Sequence, residues 1–109
     1  MPALIHSPLT REALRLLGAS IKTHRLRRRW SITELARRVG LSHPTVIKIE
    51  RGDSTVAVGT VFEAATLVGV AMFDPDPLVR ARHQERLSAE LTLLPRAARM
   101  TTPEADDDF

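Results

Sequence analysis

The stretch GLSHPTVIKIERGD, residues 40–53, decides how this chain is read. Gly40 marks a turn, Ser42 stands where an N-cap is needed, and Pro44 falls in a first helical turn, where its missing N–H costs no hydrogen bond. Gly52 then stops the segment. Val46 and Ile49, three residues apart, are the apolar side of this short helix, so His43, Pro44, Ile47, Lys48 and Arg51 face the other way. A helix with so plain an inner side and so varied an outer one is built to present that outer side to a partner.

The residues just before it complete a motif. Ser31-Ile-Thr-Glu34 reads as a capping box, in which the Ser31 hydroxyl accepts from the Glu34 amide while Glu34 reaches back. A helix follows to Gly40, with Leu35, Ala36 and Val39 inward. Ala36 is small where the two helices cross, and Val46 and Ile49 are placed to pack on Leu35 and Val39. Two short helices joined by a tight glycine turn, with core residues at these offsets, carry the helix-turn-helix signal.

Outward from the motif, the chain reads as all-α. A first helix begins near Pro8 or Thr10, capped by Ser7 or Thr10, and runs to about Arg28, with Leu14, Leu17, Ile21 and Leu26 as its buried side. Gly18 weakens it by about 1 kcal/mol relative to Ala, a cost expected where another backbone comes close. A fourth helix, about Val58 to Val68, is expected to turn Val58, Val61, Phe62 and Ala65 inward before Gly69, although Ala57 is a poor cap. Val70 to Asp74 reads as a short strand. A fifth helix opens with Asp76 and Pro77 and continues to about Leu94, with Leu87, Leu91 and Leu94 in a stripe. The division expected is an extension of helix 1 over 1–16, a helix-turn-helix domain over 17–70, a dimer- or partner-binding strand and helix over 71–94, and an acidic tail over 95–109 that is disordered on its own.

Charge is distributed unevenly along the 109 residues. From Arg11 to Arg51 there are 11 Lys/Arg against 3 Asp/Glu, and from Gly52 onward 5 against 10, so a basic half with net +8 precedes an acidic half with net −5. Such a split points to a polyanion as partner of the first half. No apolar run approaches the ~20 residues of a membrane helix, and MPALIHSPLT lacks the pattern of a secretory signal, so a cytoplasmic protein with no membrane partner is expected. With zero cysteines there is neither a disulfide framework nor a thiolate metal site, and the four histidines never pair at ligand spacing. No metal, cofactor or small-molecule ligand is expected. Without a Gly-rich phosphate loop, a nucleophile–base arrangement or paired carboxylates, the chain does not read as an enzyme.

The ordered string Leu17-Gly-Ala-Ser-Ile-Lys22, Trp30-Ser-Ile-Thr-Glu-Leu-Ala36, Gly40 to Gly52 and Ala64-Ala-Thr-Leu-Val-Gly-Val70 resembles the phage-repressor, or Xre/Cro, type of helix-turn-helix regulator. That resemblance implies a five-helix lambda-repressor-like fold and a homodimer on a palindromic double-stranded DNA operator. Met72-Phe-Asp-Pro-Asp-Pro77, His83-Gln-Glu-Arg-Leu87, Leu94-Pro-Arg96 and the acidic end are similar, more narrowly, to HipB-type antitoxins, which implies a HipA-like serine/threonine kinase as toxin partner. A stand-alone operator-binding regulator stays open beside the antitoxin.

A recognition helix uses its N-terminal residues to reach base edges in the major groove while the preceding helix spans the backbone. His43, Pro44, Thr45, Ile47 and Lys48 are therefore the base-reading candidates: His43 for G or A, Lys48 for G, and Thr45 or Ile47 for a thymine methyl. The family often has Gln and Ser where this chain has His43 and Pro44. Arg25, Arg27, Arg28 and Arg29, with Ser31, Thr33, Ser42 and Arg51, are the phosphate candidates. Val70, Met72 and Phe73, apolar residues just past a finished four-helix core, are the dimerisation candidates. Asp106, Asp107, Asp108 and Phe109 are candidates for docking the kinase, the aromatic filling a pocket and the acids steering it.

Overall fold

The computed structural model describes residues 5–95, in which five helices and no strand are found. They are α1 (Pro8–Arg27), α2 (Ile32–Val39), α3 (His43–Arg51), α4 (Val58–Val68) and α5 (Pro77–Leu93). Two compact units divide between Met72 and Phe73. The expected tail, with Asp106 to Phe109, lies outside the described residues.

In the first unit, α1 packs chiefly on α3 and also on α4, and α2 packs on both α3 and α4. Ile21, Leu35, Ala36, Val46, Ile49, Ala64, Ala65 and Val68 form the core, flanked by partly buried Leu17, Trp30, Val39 and Val61. The caps predicted for α2 and α3 are present: Ser31 Oγ accepts from the Glu34 amide at 3.0 Å and Ser42 Oγ from the Thr45 amide at 3.2 Å. Gly40 takes φ +80°, a left-handed conformation that a side chain would penalise, and both its own amide and that of Leu41 donate to Ala36 O at 2.9 Å. Those bonds close the turn between α2 and α3.

Gly18 sits where the sequence asks for a close approach. A Cβ there would stand 2.6 Å from the carbonyl oxygens of both Ile49 and Glu50, so α1 touches the backbone of α3 directly. At the other end of that contact, a Cβ on Gly52 would meet the Arg15 Cα at 2.9 Å.

Several expectations are corrected. Leu26 is exposed, because the inward positions of α1 are Gly18, Ile21 and Arg25, and residue 26 lies about 100° further round the helix. Helix α1 ends at Arg27 in a left-handed turn at Arg29 (φ +60°), an ending that no glycine announces. Helix α4 turns Ala64, Ala65 and Val68 inward and leaves Val58 and Phe62 67% and 40% exposed, because small residues let it approach the other helices closely. Glu34 does not reach back to Ser31; its carboxylate accepts from Arg37 and Arg38, each at 2.6 Å. The short strand read at Val70 to Asp74 is irregular backbone, its first amide held by Ala65 O at 2.9 Å.

The second unit consists, among the described residues, of the turn from Phe73 and helix α5. Asp76 caps α5 by accepting from the Leu78 amide at 2.9 Å, and Arg80 fastens the turn by donating to Asp74 O and Pro75 O. No residue of α5 is buried, so its Leu87, Leu91 and Leu94 stripe stays half-exposed.

Candidate nucleic-acid interface

The seat of α3 explains which of its side chains are available. Val46 and Ile49 are 0% and 3% exposed, pinning one side of the helix into the core. His43, Pro44, Ile47, Lys48 and Arg51 are consequently exposed on the other. Thr45 is half-buried, and its hydroxyl shares a hydrogen bond with Ser42 Oγ at 2.8 Å, so both hydroxyls are engaged in capping α3. At 9 residues, α3 spans about 13 Å, comparable with the ~12 Å width of the major groove.

The basic run at the end of α1 divides into two pairs with different work. Arg25 is 5% exposed and forms a bidentate ion pair with Glu50, Nε to Oε2 at 2.6 Å and Nη2 to Oε1 at 3.0 Å, while Nη1 donates to Trp30 O at 2.8 Å. Arg25 thus serves as an internal tie between α1 and α3, with three of its five N–H donors turned into the protein. Arg28 Nε donates to Val68 O at 2.9 Å, at the carbonyl end of α4, and its guanidinium lies 5.3 Å from the centre of the Trp30 ring. Arg28 is exposed at its edge but held by those contacts. Arg27 and Arg29 are exposed without such ties, beside the N-terminus of α2.

At that N-terminus, Ser31 occupies the Glu34 amide, while the first-turn amides of Ile32 and Thr33 have no acceptor within the helix. Thr33 is exposed on the first turn. The α2 surface also carries a group the sequence reading passed over. Arg38 stacks on Trp30 at 4.2 Å and donates to Glu34, and Arg37 donates to the same carboxylate. Hydrogen bonding from Arg37, then Arg38, holds the Glu34 carboxyl below its ordinary value, and Glu34 in turn raises Arg37. The i,i+3 and i,i+4 spacing of these residues was the available signal.

Of the dimerisation candidates, Val70 and Met72 lie partly buried against the core of their own unit, while Phe73 is 68% exposed. No helix among the described residues is long and apolar enough to cross a membrane, and none of their His, Asp and Glu side chains gather in threes to hold a metal ion.

No curated protein matches the chain. A family model described as a helix-turn-helix domain matches residues 16–73, more than half of the sequence and the span that holds the later part of α1 and the whole of α2 to α4 with their turn and core. The protein therefore belongs to the helix-turn-helix domain family.

Proposed function

We infer that this protein is a sequence-specific transcriptional repressor that binds a palindromic operator as a homodimer and represses its own gene. The carrying observation is the divided face of α3: Val46 and Ile49 fix it to the core while His43, Pro44, Ile47, Lys48 and Arg51 stand exposed on the opposite side. His43, Pro44 and Lys48 read bases, Ile47 meets a thymine methyl, and Arg51, Arg27 and Arg29 meet phosphates, with the α2 N-terminus contributing backbone amides. One copy covers one half-site, so two are needed about one helical turn, ~34 Å, apart. Phe73, beside Val70 and Met72, supplies the contact between copies.

The same reading extends to an antitoxin role. The resemblance of Met72 to Pro77, His83 to Leu87 and the acidic end to HipB-type antitoxins supports a HipA-like kinase as partner, docked by Asp106 to Phe109. Deleting the last five residues should weaken that complex and spare operator binding. Equal affinity for the kinase with and without them would remove the tail from the interface.

The experiment is a salt titration of binding to the DNA upstream of the protein's own gene, with random duplex as competitor. Arg27, Arg29 and Arg51 on each of two copies give a log–log slope of roughly −5, steepening to roughly −7 if Lys48 meets a phosphate as well. Lys48→Gln should lower that slope by about 1 for each copy if Lys48 meets a phosphate, and relax base preference instead if it reads a guanine. A slope near zero for the native protein would end the DNA reading.

A further inference from the structure

Outside the face already described, α1 continues for more than two turns ahead of Gly18, and this extension carries Arg11 and Arg15. Both come to the C-terminal end of α3. Together with His6, Arg51, Gly52 and Ser54 they line a cavity of about 300 Å³ whose lining contains no acid. The position of Arg15 is fixed by backbone, since its Cα lies against Gly52. Arg11 is oriented by one donor only, Nη1 to His6 O at 2.6 Å, which leaves the rest of its guanidinium edge for a ligand. Of the two acids closest in sequence to Arg51, Glu50 is turned away, whereas Asp53 lies outside the lining but within electrostatic reach of Arg51 and Lys48. Glu50 is closed on Arg25, and Asp53 accepts from the Thr55 amide at 2.8 Å and the Thr55 hydroxyl at 2.5 Å.

We propose that this cavity is a phosphate site in which Arg11, Arg15 and Arg51 bind a backbone phosphate of the DNA at the far edge of the groove that α3 enters. The proposal rests on the DNA-binding reading and adds to it a contact supplied by the extension of α1. Three guanidinium groups with no lining carboxylate match a doubly accepting, negatively charged oxygen pair. The location fits as well, because a helix about as long as the groove is wide, entering by its N-terminus, brings its C-terminal end to the opposite wall of phosphates.

The test uses Arg11→Gln/Arg15→Gln in the full chain, with Arg51 untouched, and Arg82→Gln/Arg86→Gln on α5 as a charge-matched comparison. Binding to a long random duplex is measured across a salt series, beside thermal melting of each protein. Because Arg51 without its two neighbours no longer holds the phosphate, the expected result is a slope shallower by about 0.9 for each copy bound. That amounts to a roughly fivefold weakening per copy at 0.15 M salt relative to 1 M, with melting unchanged and the comparison variant like the native protein. An unchanged slope with a lowered melting temperature would overturn the proposal, showing arginines that merely neutralise the carbonyl end of α3. A second arm titrates inorganic phosphate, without DNA, against the side-chain Nε–H signals of Arg15 and Arg51. Saturable shifts that vanish in the double variant support the site. Shifts together with an unchanged DNA slope overturn the DNA source in favour of a free anion. If the native protein binds no duplex at all, the DNA reading fails, and absence of shifts in this arm would overturn the cavity as a phosphate site too.

Discussion

Replacing Glu50 by Ala would leave Arg25 charged in a site that is 5% exposed, with two of its three hydrogen bonds gone. Breaking a buried pair by removing one member costs about 3–5 kcal/mol, because the remaining charge has lost its compensation. A unit of this size has a total stability of roughly 3–10 kcal/mol, at about 0.05–0.15 kcal/mol per residue, so Glu50→Ala should remove much or all of it. The melting temperature should fall on the order of 12–40 °C, taking 4–8 °C per kcal/mol. Replacing both members by apolar residues, Arg25→Met/Glu50→Leu, removes the stranded charge. The main cost left is the Trp30 carbonyl, which loses the Arg25 donor, worth about 1–3 kcal/mol if it finds no water. The double variant should therefore be more stable than Glu50→Ala alone. Urea denaturation followed by circular dichroism reads all three proteins. A single variant within about 1 kcal/mol of the native protein, or a double variant as unstable as the single one, would refute the assignment of Arg25 and Glu50 as a mutually dependent internal pair.

Two glycine substitutions should have opposite signs by chemical denaturation. Gly18→Ala gains about 1 kcal/mol of helix propensity but forces a Cβ to within 2.6 Å of two carbonyl oxygens, an overpacking of about 1–3 kcal/mol that should leave a net loss. Gly59→Ala in the first turn of α4 meets nothing within 4 Å and should gain about 0.5–1 kcal/mol; equal responses at the two sites would contradict the packing. The Glu34 carboxyl sits below its ordinary 4.5 in the folded state, so its contribution is complete above that value and is lost as pH falls through the lowered one. Stability of Glu34→Gln should accordingly fall less steeply on acidification than that of the native protein, and parallel acid profiles would count against the Arg37 and Arg38 contacts. Sedimentation of Phe73→Asp should show loss of the homodimer, whereas an undisturbed dimer would place the contact between copies elsewhere.

Local signals made the helix ends legible in the sequence. Ser31, Ser42 and Asp76 each announced a cap, and Gly40, Gly52 and Gly69 each announced a stop, because those residues act on amides and carbonyls within one turn of themselves. Facing was legible where a helix is pinned on one side, as for Val46 and Ile49. For α4 it held at Val61 and Ala65 but not elsewhere, because the residues are apolar nearly all round and periodicity could not distinguish Val58 and Phe62 from Ala64 and Val68. Long-range pairing was not legible at all. Arg25 and Arg27 look alike in a run of arginines, and only the fold brings Glu50, 25 residues away, to one and not the other. Arg11 and Arg15 were passed over for the same reason, since their neighbours at the end of α3 are remote in sequence.

The contact of Gly18 with the α3 backbone separates two properties that are often entangled. Carbonyl oxygens, Val46, Ile49 and the Arg25–Glu50 pair hold the angle of α3, and none of them is among the exposed residues at 43, 44, 47 and 48. Those four positions can thus be exchanged without re-aiming the helix that carries them. The scaffold is in this sense an interchangeable reading head, and new target sequences are accessible to it by substitutions that folding barely senses.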